Sequence, residues 1–418
     1  MVKLSSKKVL TAMMMLAALS TSILSNHVTF NYSEKGAFAQ PFVQTVNHRD
    51  LVIDLGNGIQ TNAQLTIPAV GNGPFPGVLL VHGSGPVDMN ETVAPDVEPF
   101  WQISQYLSER GFAVLRYDKR GVGPVGPTNF TILDANVWSN ATFDDLQNDA
   151  ARALNVLIEQ PEVDPNKITL IGHSEGAIIV PSVVMDLNNS SISNNNNDNF
   201  NSSNGYLTQV PDIVLMSAVA QNLITDLSRF QVVENLLMYA RQVLDKNNTG
   251  LISIQQPIEL PLLALVVGMF FDNNTVEYID IERELKPVLE EFYENFTTGD
   301  TENKCSDINC PIWMRSHAEL EPTLNVIGNV SESTSVLIMN GENDSQTPVQ
   351  EALLLEQRLT EVNHPDHTLI TYPDLGHVFS PSSPWFTEVE PMEEYVLADL
   401  HRWLSDRAHG LSSSSDGN

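Results

Sequence analysis

The segment RDLVIDLGNGIQTNAQLTIP, residues 49–68, alternates apolar and polar positions on both sides of Gly56-Asn57-Gly58. A period of two flanking a turn that tolerates positive φ predicts an antiparallel hairpin. Beyond it the pattern changes. PGVLLVHGSG, FAVLRYDKRGVG, KITLIGHSEG, PDIVLMSAVA, TSVLIMNGENDSQTP and HTLITYP are short, continuous apolar runs that end in polar or Gly-rich turns. They alternate with stretches of helical spacing: PFWQISQYLSERG with a Gly stop, TFDDLQNDAARALNVLIEQP capped by Thr142, VQEALLLEQRLTEV and PMEEYVLADLHRWLSDR. Strands apolar on both faces, interleaved with helices, predict an α/β protein with a mostly parallel sheet covered on both sides.

Residues 222–333 depart from that alternation. LITDLSRFQVVENLLMYARQVL and VEYIDIERELKPVLEEFYENF have helical periodicity, and between them lies LPLLALVVGMFF, residues 260–271. That run is too short to span a bilayer, so it reads either as the buried helix of a cap or as the apolar lining of a substrate pocket. NNSSISNNNNDNFNSSNG, residues 188–205, cannot bury a core and is expected to be a surface loop. The predicted organisation is an export signal at 1–39, the first part of an α/β core at 40–221, a mostly helical cap at 222–333, the second part of the core at 334–408 and a disordered tail at 409–418. No internal repeat is visible.

Composition narrows the function. The 418 residues carry 21 Lys plus Arg against 52 Asp plus Glu, a formal charge of −31, which repels nucleic acid and anionic membrane surfaces. Neither is an expected partner. The N-terminus combines Lys3, Lys7 and Lys8 with the apolar run VLTAMMMLAAL and a small-x-small site at Ala37-Phe38-Ala39. This pattern predicts an export signal cleaved before Gln40, with an uncleaved membrane anchor as the alternative; either places the body of the protein outside the cell. Twelve N-x-S/T sequons, from Asn31 to Asn343, permit glycosylation there. The two cysteines, Cys305 and Cys310, could close a small disulfide loop in an oxidising compartment but are too few for a zinc site.

In an open parallel sheet, reacting groups collect where strands end. Three such positions follow in chain order: Ser174 after ITLIGH, Asp344 after SVLIMNGEN and His377 after LITYPDLG. A serine hydroxyl needs a base to take its proton, an imidazole serves at neutral pH, and a carboxylate on its other nitrogen fixes the tautomer. Glu342 and Asp374 are alternative acids. Gly172 and Gly176 flank Ser174 in a G-x-S-x-G pattern, as a sharp strand-to-helix turn requires. That turn leaves the backbone N–H of Glu175 at a helix start, suited to an oxyanion, and VHGSGPVD supplies a second donor, Ser84 N–H or, failing that, Gly83 N–H. His82 and His173 are expected to bond backbone near the site, and Asp118 and Arg120 in RYDKRG to brace the oxyanion loop. His364 and His367 in HPDH lack a nearby third ligand and read as a solvated loop, not a metal site.

HGSGPVD, LRYDKRGVG and GHSEG together, with the acid and histidine downstream in the right order, make the chain resemble the α/β-hydrolase superfamily over about residues 50–220 and 334–408. Within it, the chain resembles the branch holding bacterial esterases, dienelactone hydrolase-like proteins and serine aminopeptidase-like hydrolases. Glu175 is a charged residue where related proteins often have an apolar residue or Gln. The resemblance implies the α/β-hydrolase fold, a mostly parallel eight-stranded sheet flanked by helices with the cap inserted between the sixth and seventh strands. It also implies a Ser174-His377-Asp344 triad, hydrolysis of carboxylic esters, and no cofactor or metal. A serine exopeptidase or amidase on short peptides is the runner-up, open to an acidic cap residue among Glu259, Glu277, Asp280, Glu282 and Glu284. A catalytically inactive surface binding protein on the same fold is the reading from a different class.

Overall fold

The computed structural model describes residues 45–123, 131–192, 212–271, 276–298, 311–385 and 389–408. Its main sheet has eight strands: β1 (Val46–Gly56), β2 (Ile59–Pro68), β3 (Phe75–Val81), β4 (Ala113–Tyr117), β5 (Val163–His173), β6 (Asp212–Met216), β7 (Val336–Gly341) and β8 (His367–Tyr372). They lie side by side in the order β1-β2-β4-β3-β5-β6-β7-β8. β2 pairs antiparallel with both β1 and β4, and every other neighbouring pair is parallel. The longer helices are α1 (Pro99–Ser108), α2 (Phe143–Ile158), α3 (Gly176–Ile192), α4 (Pro261–Phe270), α5 (Lys286–Thr298), α6 (Pro311–Ala318), α7 (Val349–Glu361) and α8 (Glu394–Ala408).

The predicted hairpin forms as β1 and β2. Asn57 and Gly58 both take positive φ, 55° and 78°, as a two-residue turn matching the strand twist demands. The central strands are apolar throughout because each feeds two cores. In β3, Val78 and Leu80 join α1 and α8 on one face, while Leu79 and Val81 join α2 and α3 on the other. β7 divides in the same way, Leu337 and Met339 against Val336 and Ile338. Side chains on successive strand residues point to opposite faces, so a strand covered on both sides has no polar position to alternate with.

Between β6 and β7 the chain leaves the sheet through the helical segments Leu223–Leu227, Phe230–Glu234, Asn235–Tyr239 and Ala240–Leu244, then α4, α5, α6 and Thr323–Ile327. This insertion has its own core, including Val232, Leu236, Leu263, Val266, Leu285 and Leu289. α4 buries Leu262, Leu263, Val266 and Val267 there, and its half-buried Leu265, Met269 and Phe270 pack on the same cluster. The apolar run at 260–271 is therefore the insertion's core helix. A short antiparallel ladder, Leu251–Ser253 with Tyr278–Asp280, was not expected from the periodicity.

The Asn/Ser-rich stretch differs from the expectation at its start, because α3 runs on to Ile192 before the described residues stop. Asn and Ser lower helix stability by only about half a kcal/mol each, too little to halt an established helix at once. The expected export signal, Cys305, Cys310 and the C-terminal tail lie outside the described residues. Among the described residues, no helix is long and apolar enough to cross a membrane.

Candidate active site

β5 ends at His173 and α3 begins at Gly176, so Ser174 stands on a turn only two residues long. Its φ is 55°, a left-handed conformation that costs a non-glycine residue on the order of 1 kcal/mol. The chain can close here only because its neighbours lack side chains. A Cβ on Gly172 would lie 2.2 Å from the carbonyl oxygen of Gly176, and one on Gly176 would lie 2.1 Å from that of Val81. Ser174 N–H donates to the Met216 carbonyl at 2.9 Å, which ties the turn to the end of β6. Within residues 171–180 Ser174 alone keeps partial exposure.

His377 and Asp344 meet across the loops that follow β8 and β7. His377 Nδ1 lies 2.8 Å from Asp344 Oδ2. The carboxylate is held by the backbone N–H groups of Gln346 and Thr347, both at 2.8 Å, and by the Thr347 hydroxyl at 2.7 Å. Burial alone would raise the Asp344 pKa, but the His377 ring and the Thr347 bonds outweigh it and keep the group ionised. With Nδ1–H donating to Asp344, His377 is left with Nε2 as its lone-pair nitrogen. The other two acids lie elsewhere: Glu342 is exposed and accepts from the Thr371 hydroxyl, and Asp374 is exposed on a positive-φ turn.

The loop after β3 brings Gly83 against the Ser174 turn, since a Cβ there would lie 3.2 Å from Ser174 Cβ. Gly83 N–H is already committed, donating to Glu91 Oε1 at 2.7 Å. Among the described residues, Ser84 N–H and Glu175 N–H have no hydrogen-bond partner. Of the two candidate donors in this loop, Ser84 is the one still free to bind an oxyanion.

The residues on either side of Ser174 carry buried charge. His173 Nδ1 faces Glu91 Oε1 at 3.0 Å and its Nε2 faces the His377 carbonyl oxygen at 3.0 Å. Both partners are acceptors, so the ring carries both protons and is an imidazolium. Burial lowers the His173 pKa, but Glu91 and the His377 carbonyl raise it further than burial lowers it; Glu91 shifts down in turn. His82 differs: burial and the nearby Lys119 drop it to about 4, and its neutral ring donates from Nε2 to the Tyr117 carbonyl. Glu175 is fully buried. Its Oε2 accepts from Lys119 Nζ at 2.6 Å, and its Oε1 accepts from Trp313 Nε1 at 2.6 Å and lies 2.8 Å from His317 Nε2. Burial pushes this carboxyl up, yet Lys119 and His317 hold it down at about 2.

The RYDKRG segment corrects one expectation. Asp118 does reach the loop after β3, accepting from Met89 N–H at 2.8 Å, and burial raises its pKa to about 6. Arg120 does not brace that loop. It pairs with Asp149 at 2.7 Å and Asp145 at 2.8 Å on α2, because the chain turns away after Lys119 and points its guanidinium at that helix. The side chain between them, Lys119, touches the loop after β3 instead, donating to the Gly83 carbonyl at 2.5 Å. Sequence reading missed Lys119, Glu91, Trp313 and His317. The one signal available was a charged Glu175 inside the apolar GHSEGAIIV, which calls for a buried cation nearby.

His364 and His367 hold local structure: His364 Nε2 lies 3.2 Å from the Ser331 carbonyl oxygen, and His367 Nδ1 lies 2.9 Å from that of His364. Among the described residues no group of three or more His, Cys, Asp or Glu side chains is arranged to hold a metal ion.

The sequence pattern of the alpha/beta hydrolase family matches residues 78–395. Over 141 residues the chain is 37% identical to esterase EstD of Thermotoga maritima, a match covering 34% of this chain and 30% of that protein. Among solved structures it is similar to a carboxyl esterase of Bacillus coagulans, with TM-score 0.48 and 15% identity over 87% of this chain and 98% of that one. It is also similar to the acylaminoacyl peptidase of Pyrococcus horikoshii, with TM-score 0.48 and 12% identity over 90% of this chain and 44% of that one.

Proposed function

The chain belongs to the alpha/beta hydrolase family, and from that premise we propose that it is an exported serine hydrolase that cleaves carboxylic esters through an acyl-enzyme. One observation carries this reading. The hydroxyl-bearing turn at Ser174, two unpartnered backbone N–H groups and a histidine fixed by a buried carboxylate all stand at one edge of the sheet. Ser174 Oγ attacks the acyl carbon while His377 Nε2 takes its proton, and Asp344 stabilises the resulting imidazolium. The oxyanion rests on Ser84 N–H and Glu175 N–H. His377 then gives its proton to the leaving alcohol oxygen, and the acyl group stays on Ser174. A water molecule, deprotonated by the same nitrogen, attacks the acyl carbon; the bond to Ser174 Oγ then breaks, His377 Nε2 returns the proton to that oxygen, and the carboxylic acid leaves.

The cap acids bear on the choice between ester and peptide. Glu282 is paired with Arg241, Asp280 caps the helical turn that follows it, and Glu284 bonds the Asp280 N–H. Glu259 and Glu277 face solvent. None is a buried, unpaired carboxylate of the kind that would bind a substrate α-amino group, and this favours the ester.

The test is fluorophosphonate labelling of the folded protein, followed by turnover of p-nitrophenyl esters and aminoacyl p-nitroanilides. Labelling that disappears in Ser174→Ala, with ester turnover, is the expected result. Preference for the anilides moves the enzyme to the peptidases, and a folded protein that does not label is a binding protein.

A further inference from the structure

Resting on that reading, we infer that Lys119 is a positioning residue for the oxyanion hole, setting the direction of the Ser84 N–H through the Gly83 carbonyl. The Gly83 C=O and the Ser84 N–H belong to one peptide unit. A trans peptide is planar and its C=O and N–H point in opposite directions, so whatever fixes the carbonyl aims the N–H. Lys119 Nζ holds that carbonyl at 2.5 Å. The preceding peptide is held from the other side, by Gly83 N–H donating to Glu91 at 2.7 Å. The charged contact also draws electron density onto the carbonyl oxygen, which makes Ser84 N–H a stronger donor.

Lys119 has little freedom to do anything else. Its side chain is 4% exposed, its ammonium is pinned at 2.6 Å by the fully buried Glu175, and its own N–H is fixed to the Val87 carbonyl at 3.1 Å. Glu175 thus contributes twice: its backbone N–H is one oxyanion donor, and its carboxylate, through Lys119, sets the other. The remaining carboxylate oxygen accepts from Trp313 Nε1 and lies 2.8 Å from His317 Nε2, both on α6 of the insertion. Both donors are therefore tied by one buried chain of contacts to the helix that packs over the nucleophile turn.

Lys119→Met tests the inference, and because it strands the Glu175 charge, Lys119→Met/Glu175→Gln is made beside it as the variant that buries no unpaired ion. Ester hydrolysis gives kcat and KM, and inhibition by a trifluoromethyl ketone, whose adduct places an alkoxide in the oxyanion hole, reports on the two donors directly. The expected result is a fall in kcat of about 10²-fold with KM within about threefold, and a matching loss of ketone affinity, in the folded double variant. A folded double variant with kcat within about threefold of wild type overturns the inference, as does a lost kcat with ketone affinity unchanged. Wild-type turnover measured alongside separates the two levels: an inert wild-type protein brings down the parent reading and this one together, whereas an active wild type matched by the double variant brings down this one alone.

Discussion

At the scale of the residue, Asp344 is the sharpest point of the proposed chemistry. Its Oδ2 faces His377 Nδ1 at 2.8 Å while its other oxygen takes two backbone N–H groups. In Asp344→Asn the side-chain oxygen stays with those donors and the amide NH2 turns to His377, so Nδ1 must accept and the proton moves to Nε2. A base protonated at the working nitrogen cannot take the Ser174 proton, and kcat should fall by about 10⁴-fold with the fold intact. Glu342→Gln, on an exposed side chain, should leave kcat unchanged. Equal losses in the two variants, or a near-normal rate in Asp344→Asn, would sink the assignment of the acid. Ser174, Asp344 and His377 were legible because each follows an apolar strand and few residue types can do its work. The buried supports were not: Glu91 lies 82 residues from the histidine it pairs with, and Trp313 lies 138 residues from Glu175. Nothing local in the sequence marks such a partner.

At the scale of the element, the same division between local and distant information holds. The strands feeding both cores and the hairpin at Asn57-Gly58 express rules of period and turn chemistry, and both were readable. The ladder joining Leu251–Ser253 to Tyr278–Asp280 pairs two three-residue segments across an intervening helix, with no run long enough to show a period. The start of α2 was readable as well, and more is built there than the cap alone. Thr142 accepts from Asp145 N–H while Asp145 reaches back to Thr142 N–H at 3.0 Å, so two helix-end donors are satisfied reciprocally. Thr142→Ala should cost about 1 kcal/mol in urea unfolding. No measurable loss of stability would mean that the Arg120 pairs with Asp145 and Asp149 hold the helix start by themselves.

At the scale of the molecule, three buried carboxylates hold the sheet's active edge together and a large negative charge surrounds the fold, and the two respond to pH in opposite directions. Glu91, Glu175 and Asp344 all titrate below their ordinary values in the folded protein. A depressed carboxyl contributes stability that is fully present above its unfolded pKa and lost as pH falls through the folded one. For Glu175, moving from 4.5 to about 2, this amounts to on the order of 3 kcal/mol, lost between those two pH values. Asp118 and Asp149 are raised to about 6, so each favours the folded state in acid and gives that up as pH climbs from about 3.8 to 6, whereas His82, dropped to about 4, costs stability as pH falls from 6.5 to 4. The formal charge of −31 at neutrality adds self-repulsion that acid relieves and salt screens. Stability should therefore fall steeply below about pH 4.5, where Glu175 takes up its proton, while between about pH 4 and 6 the shifts of Asp118 and Asp149 oppose that of His82. Calorimetric Tm at low ionic strength should drop along that acid limb, and added salt should raise the neutral limb more than the acid one. Glu175→Gln should flatten the acid limb in particular, because a neutral amide there has no proton to take up. An acid limb as steep in that variant as in the wild type would show that the burial of Glu175 between Lys119, Trp313 and His317 is not what acid undoes. A neutral limb indifferent to salt would remove surface repulsion from the account.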